Sequence, residues 1–261
     1  MNTETQGWID SHCHLDFEAV QSLDLSPERL RLAGCERILL PAVAIERLMA
    51  VLDTQLAFSG LVDVALGLHP YFLDAHEEAH LDALDQAIRA HSPVAIGEVG
   101  LDYALPESSW QRQHLFFDAQ VELAIHHGLP LVIHCRKAHD EVWSTLRKKR
   151  FGEGGIIHGF SGSLQQAKRY RDIGFVLGIG GAVTHERAKA MQKMVKALND
   201  GDFVLETDSP DMAPAFALNQ TNTPLNVPKI AQINADLREQ DLADIVRMSS
   251  AAYYSIMGRK E

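Results

Sequence analysis

Cysteine is scarce in this chain of 261 residues: Cys13, Cys35 and Cys135 are the only three, and no two are spaced as C-x-x-C. An odd, scattered set builds neither a disulfide framework nor a cysteine-rich zinc knot, and a reducing cytoplasm is the compartment it fits. Long apolar runs are also missing. None approaches the roughly 20 residues that a membrane span needs, and residues 1–7 lack the basic and apolar regions of an export signal. Positive charge is short as well, with 24 Lys+Arg against 35 Asp+Glu and a net charge of -11. Such a global field repels polyanions. Finally, no G-x-G-x-x-G turn comes after the first apolar run, which argues against a doubly wound dinucleotide-binding sheet.

What is present is the balance of a chain with a sizeable core: 46% hydrophobic, 23% charged, mean hydropathy -0.10. Charge is uneven along it. Residues 147–196 hold eleven Lys or Arg against Glu153, Asp172 and Glu186, a stretch that reads either as solvated outer helix faces or as a surface for nucleic acid.

Eight short β-rich runs recur, at residues 8–10, 37–41, 63–68, 94–97, 131–133, 155–157, 175–179 and 203–205. Helical spacing separates them, at 28–33, 45–58, 81–90, 110–126, 139–150, 164–172 and 186–199. Two more helical stretches close the chain, at 229–238 and 242–257. The clearest helix, 110–126, carries Leu115, Phe116, Ala119, Leu123 and Ala124 as its apolar stripe. Eight strand–helix units in this length, most strands being continuous apolar runs, predict an α/β fold: a TIM (β/α)8 barrel filling residues 1–261 as a single domain.

In such a barrel catalytic groups stand at the C-terminal strand ends. There the sequence places His12 and His14 after strand 1, Glu98 after strand 4, His134 after strand 5, His158 after strand 6 and Asp208 after strand 8. One such histidine would mean little. Six metal-ligand residue types at the same structural point of five strands describe a two-metal site. By contrast His76, His80, His91, His114, His126 and His127 fall in or beside helical stretches and are expected at the surface. Alternation turns Cys13 and Cys135 away from the site, as packed and inert thiols.

These segments carry a resemblance. Residues 10–16 (DSHCHLD), 67–70 (GLHP), 97–103 (GEVGLDY), 134–136 (HCR), 158–162 (HGFSG) and 206–210 (ETDSP) are similar, end to end, to the TatD family of metal-dependent deoxyribonucleases and hydrolases, in the amidohydrolase-like group of barrels. The resemblance implies a binuclear divalent-metal site on His12, His14, Glu98, His134, His158 and Asp208, with exonuclease-type activity on DNA. Two departures accompany it. Residues 219–224 read NQTNTP where relatives carry an Arg-rich stretch, and 249–251 read SSA where an Asn is usual.

Glu98 is the carboxylate able to bridge two ions. One ion would take His12, His14 and Asp208, the other His134 and His158, with a bridging hydroxide as nucleophile and Asp208 as proton acceptor. Arg136 and His69 are expected at the substrate, and Glu206 behind a ligand or Arg136. The ions themselves could be Zn, Mn, Co, Ni or Mg. Nucleic-acid ends are the expected substrate, with no membrane and no obligate protein partner. The alternative is hydrolysis of a small ester or amide, such as a D-aminoacyl or lactone-type compound.

Overall fold

Apolar on both faces, a strand such as Ile38–Leu40 can be buried only if helices cover one side and other strands the other. The computed structural model, which describes residues 7–258, meets that demand with eight parallel strands in the order β1 to β8. They are β1 (Trp8–Asp10), β2 (Cys35–Pro41), β3 (Val62–Leu66), β4 (Ala95–Asp102), β5 (Leu131–Arg136), β6 (Gly155–His158), β7 (Phe175–Ile179) and β8 (Phe203–Leu205). Outside them lie α1 (Glu18–Gln21), α2 (Pro27–Leu32), α3 (Leu48–Ala57), α4 (Ala79–His91), α5 (Trp110–His127), α6 (His139–Lys148), α7 (Leu164–Arg171) and α8 (Lys189–Ala197). The chain closes with α9 (Val227–Arg238) and α10 (Leu242–Met257). The fold is the TIM barrel expected. Residues 1–6 and 259–261 of the expected domain lie outside the described residues, and none of the described helices is long and apolar enough to cross a membrane.

The barrel closes between its last and first strands. Ser11 N–H donates to the Leu205 carbonyl, Asp208 N–H to that of His12 and His14 N–H to that of Ser209, each at 2.9 Å. The buried Asp10 carboxylate latches the same seam, accepting from Thr207 N at 2.9 Å and from its hydroxyl at 2.6 Å.

Inside, one residue from each strand forms a closed layer: Ile9, Leu39, Ala65, Ala95, Val132, Ile156, Val176 and Val204. Helix α10 stops the N-terminal end beneath it with Ala252, Tyr253 and Met257, the Tyr253 hydroxyl donating to Asp63 at 2.9 Å. Only the other end is left open for chemistry. Over the layer, alternation carries Val132 up to His134 and Arg136, Ile156 to His158, and Val204 to Glu206 and Asp208. Strands β1 and β4 break that parity. The register of β4 against β5 shifts between Ile96 and Val99, and the chain bends directly after β1. Those two shifts turn Glu98, His12 and His14 inward.

Two expectations need correction. The buried face of α5 is Gln113, Phe116, Phe117, Gln120, Val121 and Ala124, while Leu115 is 43% exposed. Both glutamines are amide clamps: Gln120 holds the backbone N–H and C=O of Leu68 at 2.7 and 3.1 Å, and Gln113 those of Asp102 at 2.8 and 3.0 Å. Apolar spacing cannot reveal a core face that is polar because strand ends need partners. His76, expected at the surface, is buried instead, its Nε2 sitting 3.0 Å from the His69 carbonyl.

Candidate metal centre

The open end holds a cavity of about 630 Å³ lined by His14, Glu98, His134, His158 and Asp208, with the fully buried His12 beside Glu98. Glu98, on β4, is 2% exposed, and its two oxygens face different imidazoles. Oε2 lies 3.1 Å from His12 Nε2 and 3.6 Å from His14 Nε2, whereas Oε1 lies 3.1 Å from His69 Nε2 and 3.3 Å from His134 Nδ1. Asp208 Oδ1 approaches His12, His14 and His158 Nε2 at 3.7, 3.8 and 3.5 Å. Its backbone is in the left-handed region (φ 56°), a sparsely populated conformation held by the β1 seam.

Hydrogen bonds assign the ring protons. His134 Nε2 sits 3.1 Å from Asp102 Oδ2 and donates there, which leaves the Nδ1 lone pair toward Glu98. His158 Nδ1 lies 3.1 Å from Glu206 Oε1, with Nε2 turned toward Asp208. In His69 the order is reversed: Nδ1 accepts from Tyr71 N–H at 3.0 Å, so the neutral ring carries its proton on Nε2 and is a donor at the site.

Burial pushes His69 down to about 4, with Glu98 opposing and His134 reinforcing the shift. Burial and His12 similarly lower His14. For His158 burial also acts downward, but Glu206 and Asp208 outweigh it and hold the ring well above the usual histidine range. Burial would raise Glu98; the histidines His69, His12 and His134 hold it well below the usual carboxylate range. Around His158 and Glu98 the site thus favours positive charge beside carboxylates despite being buried, whereas burial disfavours the charged forms of His69 and His14.

The donor set fits divalent cations. His12 Nε2 and His14 Nε2 are buried 3.4 Å apart, facing the same carboxylate oxygens, an arrangement of lone pairs that repel unless a proton or a cation lies among them. Three groups of three bring ligand atoms within 4.8 Å: His12, His14 and Asp208; His12, Glu98 and His158; His69, Glu98 and His134. Arg136 stands at the rim, exposed, and is the one Lys or Arg among the cavity's lining residues. Glu206 backs His158 rather than Arg136. It also accepts from Gly159 N at 2.7 Å.

Asp102 was not visible as a site residue in the sequence, although it lies four positions past Glu98 in the same strand, the spacing that returns a strand side chain to one face. Asn222 was equally hidden. Buried in the loop after β8, it donates to the carbonyls of Thr207 and Asp211 at 2.8 and 2.6 Å and so fixes the segment that carries Asp208. In α10 Ser249 accepts from Leu205 N at 2.9 Å, giving β8 a partner where the usual Asn is absent. The basic stretch supplies no Lys or Arg to the cavity. Lys149 pairs with Glu122 and Arg169 with Asp140, at 2.7 and 2.9 Å, Arg171 pairs with Asp202, and Arg147 and Arg169 lie over Trp143.

All three thiols are buried and free. Cys135 Sγ lies 3.1 Å from His139 Nδ1, and burial pushes the thiol up to about 12, so it stays protonated and inert.

Known proteins are similar to the chain over nearly its whole length. The family model for TatD related DNase matches residues 9–258. The uncharacterised metal-dependent hydrolase YjjV of Escherichia coli (strain K12) is 35% identical over 243 residues, covering 92% of this chain and 93% of that protein. The crystal structure of YjjV, a TatD homologue, superposes with a TM-score of 0.90 at 32% identity, over 97% of this chain and 98% of the other. The 3'-5' ssDNA/RNA exonuclease TatD of Klebsiella pneumoniae (strain 342) is 29% identical over 237 residues, covering 88% and 89%. The chain belongs to the TatD-related DNase family.

Proposed function

We propose that this protein is a metal-dependent hydrolase of phosphodiesters at nucleic-acid ends. The observation that carries the reading is Glu98, whose two oxygens serve two separate sets of imidazoles. His12, His14 and Asp208 would hold one ion, His134 and His158 the other, and Glu98 both. When bound, such ions lower the pKa of water toward neutrality and polarise a phosphoryl oxygen.

The chain's own groups supply the remainder. Asp102 and Glu206 keep the His134 and His158 rings turned lone-pair inward, a carboxylate support that also raises ligand basicity. His69 presents an Nε2 proton to the substrate, and Arg136 neutralises non-bridging phosphoryl oxygens from the rim. Asp208, beside the nucleophile, takes up its proton. Three protonated, buried thiols accord with a cytoplasmic location.

A second reading, hydrolysis of a small ester or amide, is favoured by the shortage of cations at the mouth, where Arg136 stands alone among lining residues. The test offers end-labelled single-stranded DNA and a panel of small esters to protein assayed for bound metal. About two divalent ions per chain, with DNA cleavage that stops on chelation and returns with metal, is the expected outcome. Turnover of esters with no cleavage of DNA would shift the assignment to the second reading.

A further inference from the structure

The cavity extends past the metal centre to an aromatic wall that metal-assisted hydrolysis does not use. After β3 the chain turns at Pro70, and Tyr71 and Phe72 line the mouth. Tyr71 is pinned by its backbone N–H on His69 Nδ1, yet its side chain is 66% exposed. Its ring meets Phe72 edge to face at 5.4 Å, and Phe72 meets the His69 ring at 6.0 Å. The three rings lead from solvent to Glu98. In an eight-strand order β3 stands opposite β7, so the facing wall comes from the segment between β7 and α8 and from α8 itself, with Ala182 and Met191. An aromatic face on one side and a thioether on the other suit a flat group with polar edges, which a nucleobase is and an aliphatic acyl group is not.

We propose that Tyr71 is a stacking platform for the base of the terminal nucleotide, whose phosphodiester then lies toward Glu98 and Arg136. This rests on the phosphodiester reading and narrows it to single-stranded ends, where the base is free to leave its neighbours. Tyr71 contributes little to packing at its exposure, so its replacement leaves the barrel intact.

The test uses metal-loaded protein and two single-stranded oligonucleotides, each with 2-aminopurine at one terminus next to a phosphorothioate linkage that slows cleavage. Fluorescence at one terminus should be quenched by the wild type and by Tyr71→Phe, and left unquenched by Tyr71→Ala. In turnover, Tyr71→Ala should raise KM for ordinary oligonucleotides about five- to a hundredfold, the scale of one base–aromatic stack, with kcat unchanged. An oligonucleotide ending in an abasic site should show the same KM with either protein. Quenching by Tyr71→Ala, or an equal KM penalty on the abasic end, overturns the platform while the phosphodiester reading stands. Failure of the wild type to cleave any oligonucleotide, with small esters turned over, removes both.

Discussion

No side chain but a carboxylate can offer one oxygen to each of two cations, which makes Glu98 the residue on which the site turns. Glu98→Ala should therefore deplete both ions, whereas His158→Ala should deplete mainly one. Elemental analysis of the two purified variants reads this directly, and equal losses would remove the bridging role. The role proposed for Arg136 is on the substrate and not on the ions. Arg136→Ala should retain metal yet lower turnover of DNA by about ten- to a thousandfold, with a smaller loss on a neutral ester. At this scale the sequence was legible where a residue type able to bind metal directly succeeds an apolar run, as for His134 and His158. It was not legible for Asp102 and Asn222, whose roles depend on which ring or carbonyl lies beside them in space.

Elements position these groups through what they omit as much as through what they carry. In β7, Gly178 leaves the room into which Glu206 projects from β8; a Cβ there would lie 2.0 Å from Glu206 Oε2. Gly178→Ala should displace the carboxylate that orients His158. The expected outcome is metal retention weakened about 10–100-fold, the usual effect of losing a ligand's hydrogen-bond partner, together with a stability loss of about 1–3 kcal/mol from overpacking. Metal titration and urea denaturation measure the two separately. The strand runs were legible because burial on both faces makes them continuously apolar. Their upper ends were not, since β4 runs on to Asp102 and β5 to Arg136, carrying Glu98 and His134 that the site, not the core, accepts. The face of α5 was obscured for the related reason that Gln113 and Gln120 are buried to hold strand-end backbone.

Over the whole molecule, stability and chemistry occupy opposite ends of the barrel. Tyr253 in α10 donates to Asp63 far below the metal centre, so Tyr253→Phe should cost about 1–3 kcal/mol by removing a donor from a buried carboxylate. Hydrolysis at temperatures well below unfolding should be unaffected, and a matched loss of activity and stability would show the two ends to be coupled. The barrel itself was legible from length and the count of strand–helix units. How the basic stretch is disposed was not, because its partners Glu122, Asp140 and Asp202 are close only after folding.

The seam between β8 and β1 also sets an order in time. Asp10 and Thr207 are 197 positions apart, so on a ribosome β1 must wait, with the two histidines that follow it, until β8 has emerged. Asp208 arrives with that last strand, and the loop-closure entropy of the join is met only then. A nascent chain that stops short of β8 thus carries His12, His14 and Glu98 without the carboxylate proposed to complete their set, so that set is assembled only in the step that shuts the barrel.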